Sequence, residues 1–300
     1  MEQPAVGIYD KERGASLGPR GLMVVAERRI IYRGRLPNAI RRCLGGYSIY
    51  VALDHPFRFR RSAGMWQEAE FAVAAPYEEH SICSGSGYVA QFLIEEEYVE
   101  RACLPEWMRG ATGPVDCPQL AGRLREACTA IQVGEGDSFV SYLDILFFGR
   151  PLPLHRLDPR VARVVANIAA LPGESHSAED CARSVGLSLS RFLHLFKAEV
   201  GTPFRRMRAW KRARELLNLP ASTGSLTEIA LDSGYADSSH FSHSIRDVFG
   251  TSPSEIVTGL RRIHAHRRIR EREKDTQAKP VHSDADASSK HWQTQLAARA

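Results

Sequence analysis

The sequence lacks a long hydrophobic run and a recognisable leader. Its most apolar stretches, such as Phe139–Phe148, are about ten residues long and include Asp144, whereas a membrane-spanning helix needs roughly 20 apolar residues. The N-terminus has no basic run followed by an apolar core and a small-residue cleavage site. We therefore expect a protein that stays in the cytoplasm and makes no contact with a membrane.

The sequence also lacks paired cysteines and clustered histidines. Its six cysteines are scattered without a C-x-x-C pair, and a chain of this length buries a core without cross-links, so we expect reduced thiols. The histidines of the first half are His55 and His80. The spacing of His80 and Cys83 is compatible with a metal site, but a strand end before a polar turn accounts for them equally well. We expect no metal site and no cofactor.

Residues 1–150 lack a catalytic signature. The Gly85–Gly87 run is too short for a phosphate loop, and the base nearest to Cys83 in sequence is His80. The sequence therefore predicts that the chain is not an enzyme.

The positive charge is concentrated in one segment. Residues 151–270 hold 18 Lys and Arg against 11 Asp and Glu, whereas residues 1–150 hold 17 against 19. This asymmetry favours a polyanionic partner for the later segment, although a solvated basic face has the same composition.

Short apolar or alternating runs, broken by Gly, Pro, Asn and Asp, occupy residues 22–96. The runs are Leu22–Ala26, Tyr47–Leu53, Phe57–Arg61, Glu70–Ala74 and Tyr88–Ile94. They predict an antiparallel sheet or a small β-barrel. Two helices follow, at Pro118–Ile131 and Ser138–Phe148, and their broad apolar stripes suit either pairing with a second copy or packing on the same barrel.

Helix boundaries are well marked after a Pro-rich linker at residues 151–156. Asp158 caps a helix that has Pro at its first position, Ser177 and Ser225 begin capping boxes, and Gly201 and Gly250 end the helices before them. Sliding the segment by 49 residues then reveals an internal repeat, in which Ser190 coincides with Ser239 and His194 with His243. Each copy is a short helix, a Gly turn and a second helix with a polar face, which describes a helix-turn-helix.

Two such units on a basic segment point to double-stranded DNA. The second helix of each unit lies in the major groove and reaches base edges with its N-terminal residues. The candidate base contacts are Ser190, Leu193 and His194 in the first unit and Ser238, Ser239 and His243 in the second. Leu193 is suited to a thymine methyl group. Because neither unit has Arg at these positions, we expect DNA shape and phosphate contacts to share the readout.

Basic residues around these helices are candidates for phosphate contacts. They are Arg191, Lys197, Arg205, Arg208, Arg212 and Arg246. Three of them, Arg205, Arg208 and Arg212, share a stripe of the helix that connects the two units, where the alternative role is to solvate a surface helix. A second basic run, Arg261–Arg270, ends the last helix or begins the tail.

Residues 157–260 resemble the DNA-binding domain of the AraC/XylS family of bacterial transcription regulators. The resemblance rests on SRFLHLFK at Ser190–Lys197, IALDSG at Ile229–Gly234 and SSHFSHSIRDVFGTSP at Ser238–Pro253. It implies seven helices, with two helix-turn-helix units joined by one long helix, and base contacts at the positions named above. The chain departs from the family pattern at Ile245, where an aromatic residue is usual, and at His243, where Arg is common.

Members of this family often carry a cupin-like sensor barrel, and Glu70–Ile94 resembles part of one. The resemblance implies a small-molecule effector, a homodimer and, for an activator, contact with RNA polymerase. Alternating strand positions line the mouth of such a barrel. The candidate effector-pocket residues are Trp66, Tyr77, His80, Tyr88 and Phe92.

We therefore predict an α+β protein that activates transcription by sequence-specific DNA binding. The predicted parts are a cupin-like effector-binding and dimerisation domain at 1–150, a linker at 151–156, a DNA-binding domain at 157–268 and a disordered tail at 269–300. Two alternatives stay open: a helical protein-interaction scaffold without DNA affinity, and an enzyme fused to a DNA-binding module. Salt-sensitive binding to duplex DNA distinguishes the regulator from the scaffold.

Overall fold

The fold has a β-rich N-terminal part and a helical C-terminal part. The computed structural model describes residues 22–26, 28–36, 38–109, 112–131, 136–218, 225–262 and 265–269. The predicted tail lies outside these residues except for residue 269. Within the described residues, no helix is long and apolar enough to cross a membrane.

The described strands form two sheets. The strands are β1 (Leu22–Ala26), β2 (Arg29–Gly34), β3 (Ile40–Arg42), β4 (Gly46–Ala52), β5 (Phe57–Arg61), β6 (Gln67–Ala69), β7 (Phe71–Ala74), β8 (His80–Cys83), β9 (Val89–Glu95), β10 (Gly113–Pro114) and β11 (Ala265–Ile269). The large sheet has the order β10-β7-β4-β9-β2-β1-β11, and the small sheet has the order β3-β8-β5-β6. All described pairs are antiparallel except β1 with β11.

The β-rich character is confirmed, but the predicted closed barrel is wrong. The central strand β9 pairs with β2 and β4, whereas β8 pairs with β3 and β5. The ladder hydrogen bonds of each sheet therefore stay within that sheet. Strand β11 adds a second correction, because it occupies part of the basic run that was assigned to the last helix or the tail.

Both faces of the large sheet are buried at strands β1, β4, β7 and β9. Side chains alternate across a strand, so Val24, Ile49 and Phe92 face one layer while their neighbours face the other. The first layer is covered by α1 (Pro118–Ala130) and α2 (Gly136–Phe148). A buried ion pair reinforces this packing, because Arg29 Nε on β2 donates to Asp144 Oδ1 on α2 over 2.9 Å. The two helices predicted after the strands are thus confirmed.

Two different partners cover the opposite face of the large sheet. At the end formed by β4 and β7, Tyr50 and Ala72 pack against the small sheet. At the end formed by β1 and β2, Met23 and Ile30 pack against helices of the C-terminal part. The two parts of the chain therefore share a core.

The C-terminal part contains seven described α-helices, as predicted. They are α3 (Pro159–Ala170), α4 (Ala178–Ser184), α5 (Leu189–Val200), α6 (Phe204–Arg214), α7 (Leu226–Asp232), α8 (Ser238–Phe249) and α9 (Pro253–Arg262). The predicted caps are in place. Asp158, Ser177, Ser188, Ser225 and Asp237 each accept a hydrogen bond from a backbone N–H of the following turn, and such caps typically contribute about 1 kcal/mol each.

Candidate nucleic-acid interface

The first helix-turn-helix unit consists of α4, a turn at Gly186 and α5. Gly186 has φ +67°, a left-handed conformation that glycine adopts at little cost. Helix α5 buries Phe192 and Phe196 in the core of the unit. Its opposite side is exposed to solvent and carries the three predicted base contacts, Ser190, Leu193 and His194.

The second unit repeats this arrangement with α7, a turn at Gly234 (φ +72°) and α8. The capping box predicted for Ser225 and Glu228 is present, with the two backbone-to-side-chain hydrogen bonds at 3.3 and 2.8 Å. Helix α8 buries its apolar side and exposes the predicted base contacts Ser238, Ser239 and His243. The 49-residue repeat in the sequence therefore corresponds to a repeat in the structure.

The predicted phosphate contacts fall into two groups. Four of the side chains are exposed: Arg191, Lys197, Arg205 and Arg246. Arg208 and Arg212 are half-buried, and both donate hydrogen bonds to backbone carbonyls of the α3–α4 loop. Their guanidinium groups also lie near aromatic rings, 5.9 Å from the centroid of Phe204 and 5.4 Å from that of Tyr235. Arg208 and Arg212 thus brace the loop, which the sequence did not indicate.

The five predicted effector-pocket residues do not line a common cavity. Phe92 is buried against α2, with its ring centroid 4.1 Å from that of Phe147. Tyr77 packs against the core shared by the two parts of the chain. Trp66 is half-exposed beneath two arginine guanidinium groups. Tyr88 is the member of the set that lines a large cavity.

His80 is a buried core residue whose two ring nitrogens both have hydrogen-bond partners. Its Nε2 lies 2.8 Å from Tyr50 Oη, and its Nδ1 lies 3.0 Å from the backbone carbonyl oxygen of Glu78. Burial lowers the pKa of His80 to about 4, so the ring is neutral near pH 7. Both ring nitrogens are engaged, and no group of three or more potential metal ligands converges among the described residues.

The cavity that includes Tyr88 has a volume of about 1000 Å³ and lies where the two parts of the chain meet. Its β-rich wall includes Ile30, Arg33 and Arg42, and its helical wall includes Trp210 and Phe249. The Nε of Arg42 is buried without a hydrogen-bond partner among the described residues, and its Nη1 donates to Gln91, which also lines the cavity. An acceptor group on a ligand would satisfy this Nε, because an unpaired buried donor is costly. The guanidinium of Arg33 lies on the other face of the sheet, where it donates to the backbone carbonyl of Cys128 on α1.

Beside this cavity lies an ion cluster that the sequence analysis missed. Glu95, at the end of β9, is fully buried. Its carboxylate accepts a hydrogen bond from Trp210 Nε1 (2.8 Å) and one from Lys211 Nζ (2.7 Å), and lies 3.1 Å from Arg214 Nε. Lys211 Nζ also lies 2.5 Å from Glu97 Oε1.

Opposite charges decide the protonation states of this cluster. Burial opposes the charge of both Glu95 and Lys211, but Arg214 and Lys211 lower the pKa of the Glu95 carboxyl. Glu95 and Glu97 in turn raise the pKa of the Lys211 ammonium. The sequence signal for this cluster was the run of acidic residues at 95–97 together with the basic stretch at 205–214. These two segments lie more than 100 positions apart in the chain.

Comparison with known proteins gives matches to parts of the chain. A family described as a helix-turn-helix domain matches residues 181–276. The transcriptional activator RhaS of Escherichia fergusonii is 33% identical over 153 residues, which cover 47% of this chain and 53% of RhaS. The invasion protein InvF of Salmonella typhi is 32% identical over 72 residues, 24% of this chain and 33% of InvF. The chain thus spans about half the length of RhaS and a third of that of InvF.

One solved protein resembles both parts together. A crystal structure of ToxT from Vibrio cholerae has a TM-score of 0.52 and 14% identity, and the match covers 78% of this chain and 98% of ToxT. A second ToxT structure, with a TM-score of 0.50 and 13% identity, contains (E)-4-(8-methylnaphthalen-1-yl)but-3-enoic acid. At this identity the likeness is one of fold, and it extends over the β-rich part and the helical part.

Proposed function

We propose that the C-terminal part of this chain is a DNA-binding domain of the AraC/XylS type, and that the protein is a sequence-specific transcription factor that activates promoters. The observation that carries the proposal is the pair of equivalent exposed surfaces on α5 and α8, each held by its own cap and glycine turn. Each of these helices has the shape and the polar N-terminal residues that fit the major groove.

We propose that the two reading helices occupy successive major grooves on one side of the duplex. Half-sites about one helical turn apart, roughly 10 base pairs, would then be read by α5 and α8. The exposed cations Arg191, Lys197, Arg205 and Arg246 lie around these helices and are suited to hold phosphates. In this proposal Arg208 and Arg212 contribute to the shape of the domain.

The proposed effector is a small molecule that occupies the cavity between the two parts. The volume of about 1000 Å³ lies at the upper end of the range for small-molecule sites. Its lining combines apolar side chains with the buried donor of Arg42, which favours an apolar body with an acidic group. The ligand in the ToxT structure has this chemistry.

Two protein partners belong to the same proposal. A second copy of the chain would pack on α2, where Tyr142, Ile145 and Leu146 are half-buried. RNA polymerase would be contacted at the promoter, as activation requires. The mass of the protein in solution, measured for the wild type and for Ile145→Glu, tests the dimer: the wild type should be dimeric and the variant monomeric.

Selection of the full-length protein on random duplex DNA tests the regulator function. We expect enrichment of a bipartite sequence, and loss of one half of it in His194→Ala and of the other half in His243→Ala. His155→Ala, in the linker, should select the same bipartite sequence as the wild type. If no sequence is enriched at low or at physiological salt, the proposal is wrong and the scaffold alternative gains support.

Ligand-induced stabilisation tests the cavity. The naphthyl butenoic acid found in ToxT is a suitable probe, and saturating concentrations should raise the melting temperature of the wild type. Replacement of Arg42 by Met should remove this shift, whereas Arg58→Met, on an exposed strand position, should keep it. An equal shift in both variants would place the ligand elsewhere.

A further inference from the structure

The two helix-turn-helix units differ in which parts of the chain form their hydrophobic cores. The core of the first unit consists of residues from 161 to 207, including Val161, Phe196 and Met207. The core of the second unit includes Phe241 and Ile245 together with side chains of the β-rich part, which are Met23, Val25, Ile30, Leu44 and Leu93. The second unit is therefore built on the large sheet, and the first unit closes its own core.

The connecting helix α6 belongs to both cores. Its first half places Phe204 and Met207 in the core of the first unit, and its second half places Trp210 and Ala213 in the shared core. Among the described residues of α6, those that contact Glu95 are Trp210, Lys211 and Arg214, and all three lie in its second half. Glu95 therefore holds α6 at the point where the chain leaves the first unit for the second.

Trp210 connects this cluster to the second unit. Its indole N–H donates to Glu95, and its ring lies against Gly45, where an added Cβ would come within 2.2 Å of the ring. The ring also lies near α8, with the centroid of Phe249 at 5.9 Å. Because Trp210 contacts β9, Gly45 and Phe249, the positions of β9 and Gly45 help to determine where the C-terminal end of α8 lies.

A second set of contacts holds the same end of α8. The backbone N–H of Cys43 donates to the carbonyl oxygen of Val248 over 2.9 Å, and Gly250 lies so close to Arg41 that a Cβ would come within 1.8 Å of its carbonyl oxygen. The base-contacting residues lie at the opposite, N-terminal end of α8. The β-rich part can therefore reposition α8 without covering its DNA-facing surface.

The helical side of the cavity is formed by residues that belong to the second helix-turn-helix unit or pack against it. Its helical lining consists of Trp210, Leu217 and residues from Phe249 to Thr258. The first unit approaches the β-rich part at the end of α5, where an added Cβ on Gly201 would lie 2.7 Å from Glu96 Oε1. A ligand in the cavity contacts elements that set the position of α8 and is separated from α5 by the core of the first unit.

We propose that Glu95 is a positioning residue for DNA readout by the second helix-turn-helix unit alone, and that the first unit reads its half-site independently of the β-rich part. The inference rests on the proposed DNA-binding function. Loosening the Glu95 cluster frees the second half of α6 and lets α8 shift relative to α5. The expected consequence is loss of preference for the second half-site and for the spacing between the half-sites, with affinity for the first half-site retained.

Glu95→Gln in the full-length protein tests the inference. Its matched control is Asp144→Asn, which breaks an equally buried ion pair to Arg29 within the β-rich part. Affinities are measured for the selected bipartite DNA, for DNA with either half-site scrambled, and for DNA with the spacing changed by one base pair. His243→Ala identifies which half-site α8 reads.

The ratio between the affinity for bipartite DNA and that for DNA with the second half-site scrambled is the decisive quantity. Glu95→Gln should reduce this ratio by about tenfold, as expected for a side chain coupled to a contact, and should change affinity for the isolated first half-site by less than about twofold. Asp144→Asn should leave the ratio unchanged. Equal losses at both half-sites, or an unchanged ratio, would overturn the inference.

A milder variant covers the case in which Glu95→Gln does not fold. Trp210→Phe removes the N–H donor to Glu95 and retains an aromatic ring, and we expect the same selective loss at the second half-site with a smaller amplitude. Failure of the wild type to bind any DNA would instead refute the proposed function. The two failures are thus distinguishable.

Discussion

Leu193 is a residue at which the two reading surfaces differ in chemistry. With the 49-residue offset, Ser190 matches Ser239 and His194 matches His243, whereas Leu193 matches Ser242. Leu193 is also one of the few large apolar side chains that are exposed, at 37%. An apolar group in the major groove contacts the thymine methyl group best. The two half-sites should therefore differ where this side chain lies.

We predict that uracil in place of thymine in the first half-site weakens wild-type binding about threefold to fourfold. The lost methyl contact accounts for this, because a buried methyl group contributes ~0.8 kcal/mol. In Leu193→Ser the same replacement should have little effect. Binding titrations with thymine and uracil duplexes measure both values, and uracil placed in the second half-site serves as the control. If Leu193→Ser remains as sensitive as the wild type, the methyl is read by another group.

Glu96 makes stability depend on pH. Burial and the neighbouring Glu97 raise the pKa of its carboxyl from 4.5 to about 7. The folded protein therefore holds a proton that the unfolded chain releases at lower pH, so this contribution to stability is full below about pH 4.5 and is lost as the pH rises to about 7.

We predict that Glu96→Gln removes this loss. Between about pH 5 and pH 8 the free energy of unfolding of the wild type should fall relative to that of the variant by on the order of 2 kcal/mol, allowing for partial exposure of the carboxyl. Urea unfolding at both pH values measures the difference, with the exposed Glu106→Gln as the control. Parallel pH profiles for Glu96→Gln and the wild type would contradict the raised pKa.

At the scale of elements, the two helix-turn-helix turns look alike in sequence but not in surroundings. Gly186 and Gly234 both have positive φ, +67° and +72°. Nothing lies within 4 Å of a Cβ added at Gly186, whereas a Cβ at Gly234 would come within 1.7 Å of the carbonyl oxygen of Gly173. The second turn therefore also anchors the α3–α4 loop, the loop that Arg208 and Arg212 brace.

We predict unequal costs for alanine at these two glycines. Gly186→Ala should lower the free energy of unfolding by about 1 kcal/mol, the cost of left-handed backbone for a residue with a Cβ. Gly234→Ala should cost about 3 kcal/mol or more, because backbone has to move as well. Chemical denaturation of the two variants gives the comparison. Equal costs would mean that Gly173 moves away freely.

Local signals explain which elements could be predicted. Helices α3 to α9 were found because their caps, glycines and apolar spacing lie within a few residues of each helix. The five strand runs were found for the same reason, but the short strands β3, β6 and β8 have too few residues for a periodic pattern. Sheet pairing depends on contacts between residues distant in sequence, so the two-sheet arrangement could not be distinguished from a closed barrel.

The residues of the candidate site likewise divide into those marked by local sequence signals and those brought together from distant segments. The candidate base contacts Ser190, His194, Ser239 and His243 could be chosen from the sequence because a repeat places them on one helical face, and the structure shows them exposed. The Glu95 cluster and the cavity were not predictable, because each combines residues from the two ends of the chain. The effector-pocket candidates were chosen within one region, so only Tyr88 of the five lines the cavity formed between regions.

For the whole molecule, the shared core means that the helical part is not a uniform unit. The first helix-turn-helix keeps its core when the β-rich part is removed. The second would expose Trp210, Ile245 and Phe249 to water, and would leave Lys211 and Arg214 without Glu95. Exposing a buried apolar side chain of this size costs about 1.5 to 3 kcal/mol, so the three together remove a large part of the 5 to 15 kcal/mol that stabilises a typical domain.

We predict that a fragment of residues 151–270 folds only in its first half. In amide hydrogen exchange, α4 and α5 should be protected in the fragment nearly as well as in the full-length protein, whereas α7, α8 and α9 should lose most of their protection, because local opening follows loss of buried contacts. On bipartite DNA such a fragment should bind through the first half-site alone. Equal protection across both units would show that the second unit needs no support from the sheet, and the β-rich part would then have to act on DNA binding by another route than the shared core.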